Sequence, residues 1–185
     1  WMRGAADAGV SGDDARRLYP GGSGPMIACH SRLADQRMLV VLEKRDLEAL
    51  RTRERITLAV RGRLEQALGD REAVRRGVSL LAMPLNAPLA TRLLYRTVDA
   101  MWLAAGDDST DYNHYTKRAL LAGVYGAVLL YWLNDRSEGC ADTWAFLDRR
   151  IADAMKAPEL MAAPGRLFRY LPNPAKLFRR RVKWA

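Results

Sequence analysis

Ala119-Leu120-Leu121-Ala122-Gly123-Val124-Tyr125-Gly126-Ala127-Val128-Leu129-Leu130-Tyr131-Trp132-Leu133 is the longest apolar run in this chain of 185 residues. As a helix rising ~1.5 Å per residue it reaches ~22 Å, short of the ~30 Å hydrocarbon core of a bilayer. It therefore reads as a buried helix and not as a membrane span. Leu120, Leu121, Val124, Tyr125, Val128, Leu129 and Trp132 cover more than one of its faces, so neighbours must surround it. A chain that encloses such a helix is a bundle.

Outward from this run the spacing stays helical. On the C-terminal side, Asn134–Gly139 is a turn, and a last body helix sets Trp144, Leu147, Ile151 and Met155 on one face. Pro158 and Pro164 bracket a hinge. On the N-terminal side, Gly106-Asp107-Asp108 is a turn, and Ser109 or Thr110 is a suitable N-cap for the apolar helix. Before it, Pro88 opens a helix in which Leu89, Leu93, Leu94, Val98, Met101 and Trp102 recur at three and four. Pro84 closes a helix over 72–82 that carries Val74, Val78, Leu81 and Ala82. Ile56, Val60, Leu64 and Leu68 step by four until Gly69–Asp70 ends the stripe. No alternating run suggests a sheet, so the fold class is all-α. Organisation follows in three parts: 1–45, 46–157 and 158–185.

Composition excludes wholesale disorder, with 49% hydrophobic and 28% charged residues. The net charge of +9 is unevenly spread. From Arg166 onward there are seven Lys or Arg and no acid, so the basic surface belongs to the tail. Cys29 and Cys140 form no C-x-x-C pair and read as two reduced thiols. The chain begins inside what looks like a helical unit, so the natural N-terminus and any targeting segment are expected to be missing.

The tail has the chemistry of an interfacial helix. Leu167, Phe168 and Leu171 form one stripe beside Arg166 and Arg169. After Pro172-Asn173-Pro174, Leu177, Phe178, Val182 and Trp184 line another beside Lys176, Arg179, Arg180, Arg181 and Lys183. Near an anionic leaflet each cation contributes ~1 kcal/mol, less when crowded or screened by salt. A disordered basic tail is the competing reading, and the two prolines suggest two short helices in place of one long one.

Catalytic patterns are sparse. Asp111-x-x-His114 has the i, i+3 spacing of half a di-iron carboxylate site, but His30, the other histidine, has no matching acid. Gly21-Gly22-Ser23-Gly24 lacks the Gly-Lys-Ser/Thr of a phosphate loop and reads as a turn. No nucleophile elbow is evident, and Cys29 and His30, as sequence neighbours, diverge in direction on a helix. No enzyme activity, metal or cofactor is expected.

Two resemblances sharpen this. Ala5-Ala6-Asp7-Ala8-Gly9-Val10-Ser11 followed by Leu18-Tyr19-Pro20 resembles the helix-turn-helix of TetR-type regulators, with Gly9 making the turn. Asp13 and Asp14 at the start of the reading helix face phosphates with the wrong sign, and Arg16 and Arg17 only partly compensate. The resemblance implies a TetR-like bundle with a degenerate helix-turn-helix that no longer reads DNA. A ligand-responsive TetR-type transcription regulator is the alternative, which a basic, helix-forming N-terminal extension would revive.

Three more blocks are distinctive: Met83-Pro84-Leu85-Asn86-Ala87-Pro88-Leu89, Asp99-Ala100-Met101-Trp102 leading to Gly106-Asp107, and Ser109-Thr110-Asp111-Tyr112-Asn113-His114-Tyr115-Thr116-Lys117-Arg118-Ala119. With Thr143-Trp144-x-Phe146-Leu147-Asp148-x-Arg150-Ile151, they resemble the ninth COQ protein family, lipid-binding accessory factors of coenzyme Q biosynthesis. The resemblance runs from about residue 5 to residue 156. It implies a non-enzymatic homodimer, paired through the last two body helices, that binds isoprenoid lipids or phospholipid. The family presents quinone precursors to the di-iron demethoxyubiquinone hydroxylase, peripherally on the inner membrane facing the bacterial cytoplasm or mitochondrial matrix. The three parts then become a truncated helix-turn-helix-like unit (1–45), a lipid-binding and dimerisation domain (46–157) and an amphipathic membrane-binding tail (158–185).

Carried onto this chain, the lipid-contact set is Leu93, Leu94, Trp102, Leu120, Leu121, Val124, Tyr125, Val128, Leu129, Trp132, Trp144 and Leu147. A plain core and a lipid tunnel use the same residue types, so the resemblance alone favours the tunnel. Gly123 and Gly126 leave room for a neighbour or a lipid tail. The hydroxylase-docking patch implied by the family maps to Met101, Asp111, His114 and Tyr115. His114 stands where the family often has Trp, a departure that removes apolar contact area.

Overall fold

A computed structural model describes residues 5, 8–107 and 112–161, and among them no residue lies in a strand. Among the described residues the α-helices with both ends defined are α1 (Gly12–Leu18), α2 (Ser23–Glu43), α3 (Thr52–Glu65), α4 (Arg71–Leu81), α5 (Ala87–Ala104), α6 (Tyr112–Asn134) and α7 (Ala141–Met161). Short 3₁₀ turns at Leu68–Asp70, Pro84–Asn86 and Glu138–Cys140 join three of the pairs.

Local chemistry sets the boundaries. Gly9 has φ of +69°, and Ser11 caps α1 by accepting from the Asp14 amide at 3.1 Å, so the expected turn is in place. Pro88 sits in the first turn of α5, where a missing N–H costs nothing. Gly106 ends α5 at φ +81°, and a Cβ there would come within 3.1 Å of Arg55 Nη1. Only glycine suits that turn. The expected N-cap residues Ser109 and Thr110 lie outside the described residues, as does Asp111.

α3 occupies the middle, touching α2, α5, α6 and α7. Ile56, Val60 and Leu64 are buried on it, whereas Leu68 is exposed because the chain leaves the helix before that residue. Met38, Leu42, Val98, Met101, Val128, Trp132, Leu147 and Ile151 complete the core. The stripe on α7 ends a turn early, since Met155 is exposed. α7 also continues through Pro158 to Met161, so the expected break at that proline is absent from the backbone. The tail residues from Leu167 to Trp184 lie outside the described residues.

α4 is the odd member, with no fully buried residue. Val74 and Val78 lean on the core, and two arginines pin the helix to the end of α6. Arg71 donates to the Asp135 carbonyl at 2.8 Å and to Cys140 Sγ at 2.9 Å. Arg75 donates to the Leu133 carbonyl and to Asn134 Oδ1. Cations at a helix C-terminus meet its orphan carbonyls and its negative dipole end. No described helix is long and apolar enough to cross a membrane.

Candidate functional site

Two cavities flank α6. The first, of about 310 Å³, lies among α2, α3, α4, α5 and α6. Met26, Ile27, Leu64, Val74, Val78 and Leu81 wall it together with Leu93, Leu94, Tyr125, Leu129 and Trp132. The second, of about 430 Å³, lies among α3, α5, α6 and α7 and is walled by Ile56, Trp102, Leu120, Leu121, Val124, Ile151 and Ala154. Both are mainly apolar, and an engineered apolar void of about 150 Å³ is enough to hold benzene.

Most of the predicted lipid-contact residues therefore do face open space, but in two separate groups. Val128, Trp144 and Leu147 line neither cavity. Val128 and Leu147 are closed in the core. Trp144 lies under Arg61, whose Cζ is 4.9 Å from the ring centroid, and its indole donates to the Gly139 carbonyl at 2.8 Å.

A polar cluster borders the first cavity. Arg63 donates to Asp35 at 2.9 Å and to the Ser31 carbonyl at 3.3 Å, Thr97 donates to Asp35 at 2.9 Å, and Arg96 approaches it at 3.4 Å. Arg63 and Asp35 are both buried, so the pair is costly unless its hydrogen bonds are met, as they are here. Burial pushes the Tyr125 phenol above its ordinary pKa, with Asp35 adding to the rise and Arg63 opposing it. Sequence reasoning missed this cluster and the α2 and α4 walls. A signal existed: Arg63 falls on the Ile56–Val60–Leu64 face, and Asp35 shares a face with Met38 and Leu42.

Next to the second cavity, the Gly106 turn is held by ion pairs. Arg118, almost wholly buried, donates to Asp99 at 2.6 Å and to Asp107 at 3.3 Å, and Lys117 reaches Asp107 at 2.7 Å. Part of the distinctive Tyr115-Thr116-Lys117-Arg118 block thus fastens α6 to α5.

The structure splits the docking set. Tyr115 is 66% exposed, and its ring meets His114 edge-on at 5.1 Å. His114 Nε2 lies 3.4 Å from the hydroxyl of Tyr95, itself partly exposed. Met101 is 0% exposed, packed in the core on the same face as Val98. It cannot present itself to a partner in this conformation, and the expectation that it docks is corrected on that ground. Among the described residues no cluster of His, Cys, Asp or Glu could hold a metal.

Comparison with known proteins follows the same lines. The chain is similar to a TetR transcriptional regulator from Nitrosomonas europaea, with 25% identity, a TM-score of 0.66, and 83% of this chain and 84% of that one covered. The fold is thus a TetR-like helical bundle. It is 41% identical over 131 residues to the mitochondrial ubiquinone biosynthesis protein COQ9 of Rattus norvegicus, covering 69% of this chain and 41% of that protein. The Bos taurus protein of the same description is 37% identical over 155 residues, covering 82% of this chain and 47% of that one. The chain spans less than half the length of these relatives. The COQ9 family profile matches residues 87–158, which carry α5, α6 and most of α7. Those helices, with α3, wall the second cavity and contribute to the first, and these matches support the COQ9 ubiquinone biosynthesis family.

Proposed function

We propose that this chain is a non-catalytic lipid-binding factor of ubiquinone biosynthesis. It takes up isoprenoid quinone precursors, or phospholipid, at a membrane surface and presents them to the di-iron demethoxyubiquinone hydroxylase. The carrying observation is the pair of apolar cavities beside α6, the second walled mostly, and the first in part, by residues of the region that matches the family. Curated relatives bear the name ubiquinone biosynthesis protein and are described as mitochondrial, which supports the pathway.

Within this reading, Tyr115 and His114, with Tyr95 beside them, form the hydroxylase-facing surface. The basic tail supplies membrane contact. A homodimer forms through α6 and α7, where Leu130 and Tyr131 are exposed and Tyr131 stacks on half-buried Phe146. Mass spectrometry of lipids extracted from the purified protein tests the carrier role, with isoprenoid quinones or precursors expected. A preparation that carries no lipid and takes none up refutes it.

The likeness to a regulator favours a second reading, a ligand-responsive transcription factor. Asp13 and Asp14 in the first turn of α1 oppose it, since they set negative charge where a reading helix meets phosphate. Gel shift of duplex DNA at physiological salt separates the two, and tight sequence-selective binding would favour the regulator.

A further inference from the structure

The first cavity has one charged corner and no acid. Among its described lining residues there is no Asp or Glu, whereas Arg63 stands there beside His30, Ser31, Thr97 and Tyr125. The remaining wall, with Val74 and Val78 of α4, is apolar.

The charges behind that corner do not cancel. Asp35 accepts from Arg63 and from Thr97, each at 2.9 Å, and its other oxygen lies 3.4 Å from Arg96. Two cations against one carboxylate leave one positive charge over. His30 is occupied separately, with Nε2 3.6 Å from Asp70, which Arg37 also reaches at 3.5 Å. Arg63 commits Nε to Asp35 and Nη2 to the Ser31 carbonyl, so its Nη1 donates to nothing among the described residues. The Tyr125 phenol, which feels the Arg63 charge, has no hydrogen-bond partner there either. Both residues keep 6% of their surface exposed, and neither free atom is sealed in as the indole nitrogens of Trp102 and Trp132 are. Two open donors, one of them cationic, thus share the wall of a mainly apolar space.

Such a corner recognises an anion. A guanidinium suits a carboxylate, whose two oxygens accept charge-assisted hydrogen bonds from it and from a neighbouring hydroxyl. We propose that the first cavity binds a small aryl carboxylate, whose carboxylate accepts from Arg63 Nη1 and from the Tyr125 hydroxyl. The Tyr125 and Trp132 rings on the same wall suit a flat aromatic body. A volume of about 310 Å³ is roughly twice the void that holds benzene, room for a ring with a carboxylate and a short branch. This ligand is a compact water-soluble anion, unlike a neutral quinone or a lipid chain. The assignment is independent of the carrier reading, which the second cavity can carry alone.

Calorimetry on the lipid-stripped full chain compares 4-isopropylbenzoate, its neutral isostere 4-isopropylbenzamide, and 2,3-dimethoxy-5-methyl-1,4-benzoquinone. The benzoate should bind at least roughly tenfold more tightly than either neutral probe, and equal binding overturns the anion site. Tyr125→Phe should weaken the benzoate at least roughly fivefold and spare the amide, whereas equal effects on both overturn the assigned contact. Should Tyr125→Phe not fold, Val78→Trp, which fills the cavity from α4, should abolish benzoate binding, and wild-type affinity in that variant refutes the location. Octanoate, which keeps the carboxylate without the ring, should bind more weakly than the benzoate, and equal binding overturns the aromatic class. Lipid extracted from the same preparations scores the carrier reading separately.

Discussion

Asp135 accepts from the Ser137 amide at 2.7 Å, the Ser137 hydroxyl at 2.6 Å, the Thr143 amide at 3.0 Å and the Thr143 hydroxyl. Burial alone would raise its pKa, but these hydrogen bonds outweigh burial and hold the carboxyl well below the usual carboxylate range. With the folded pKa depressed below about 3.9, its stabilising contribution is full at neutral pH and is lost as pH falls below about 4. Asp135→Asn should lower stability at pH 7 by about 2 kcal/mol and flatten the acid-side loss. Thermal melts between pH 7 and pH 2 check this, and parallel pH profiles would contradict it. Met101 and Tyr115 make a second contrast at this scale. Tyr115→Asp should keep its circular dichroism spectrum and lose about 1–3 kcal/mol of binding to the hydroxylase, read by co-purification. Met101→Asp should unfold the protein, because it buries a charge. The burial of Met101 was legible, since it continues the Leu94–Val98 stripe. The family resemblance, which speaks of partners and not of helical phase, pointed the other way.

At the scale of elements, punctuation was easier to read than partnership. Pro84, Pro88 and Gly106 each restrict the backbone in a way that needs no tertiary context, so the ends of α4 and α5 fall where the sequence puts them. α2 escaped reading because Asp35 interrupts its Ala34–Met38–Leu42 face, and only the burial of Arg63 beside it explains an acid there. The cavity walls supplied by α2 and α4 were invisible for the same reason: a wall depends on which helices meet. The ion pairs between α5 and α6 yield a test of the turn they close. Arg118→Ala removes the buried cation that joins Asp99 to Asp107, while Lys117 stays on Asp107, and should cost about 1.5–3 kcal/mol. Arg118→Lys should recover part of that loss, and full stability of the alanine variant in urea denaturation would show the pairs to be idle. For the tail, removal of everything after Pro164 should leave helical content of the body unchanged and reduce flotation with anionic liposomes. Equal flotation would place membrane contact elsewhere.

For the whole molecule, exposed Leu130 and Tyr131, the latter stacked on half-buried Phe146, give the α6–α7 surface an apolar face. A Cβ on Gly123 or Gly126 would meet nothing within 4 Å, so another helix could approach closely there. Leu130→Glu should shift the protein from dimer to monomer in light scattering without loss of bound lipid. A wild type that is already monomeric, or a variant that remains dimeric, counts against that interface. The thin attachment of α4 has its own consequence, in time rather than in space. A helix with no fully buried residue, fastened chiefly by Arg71 and Arg75, costs less to detach than α3 or α6. Its amide hydrogens should exchange with deuterium well before those of α3 and α6, and a ligand in the first cavity should slow α4 selectively. How long a bound molecule stays would then be governed by how often one small helix lifts, and the arginines at its base would act as the clock.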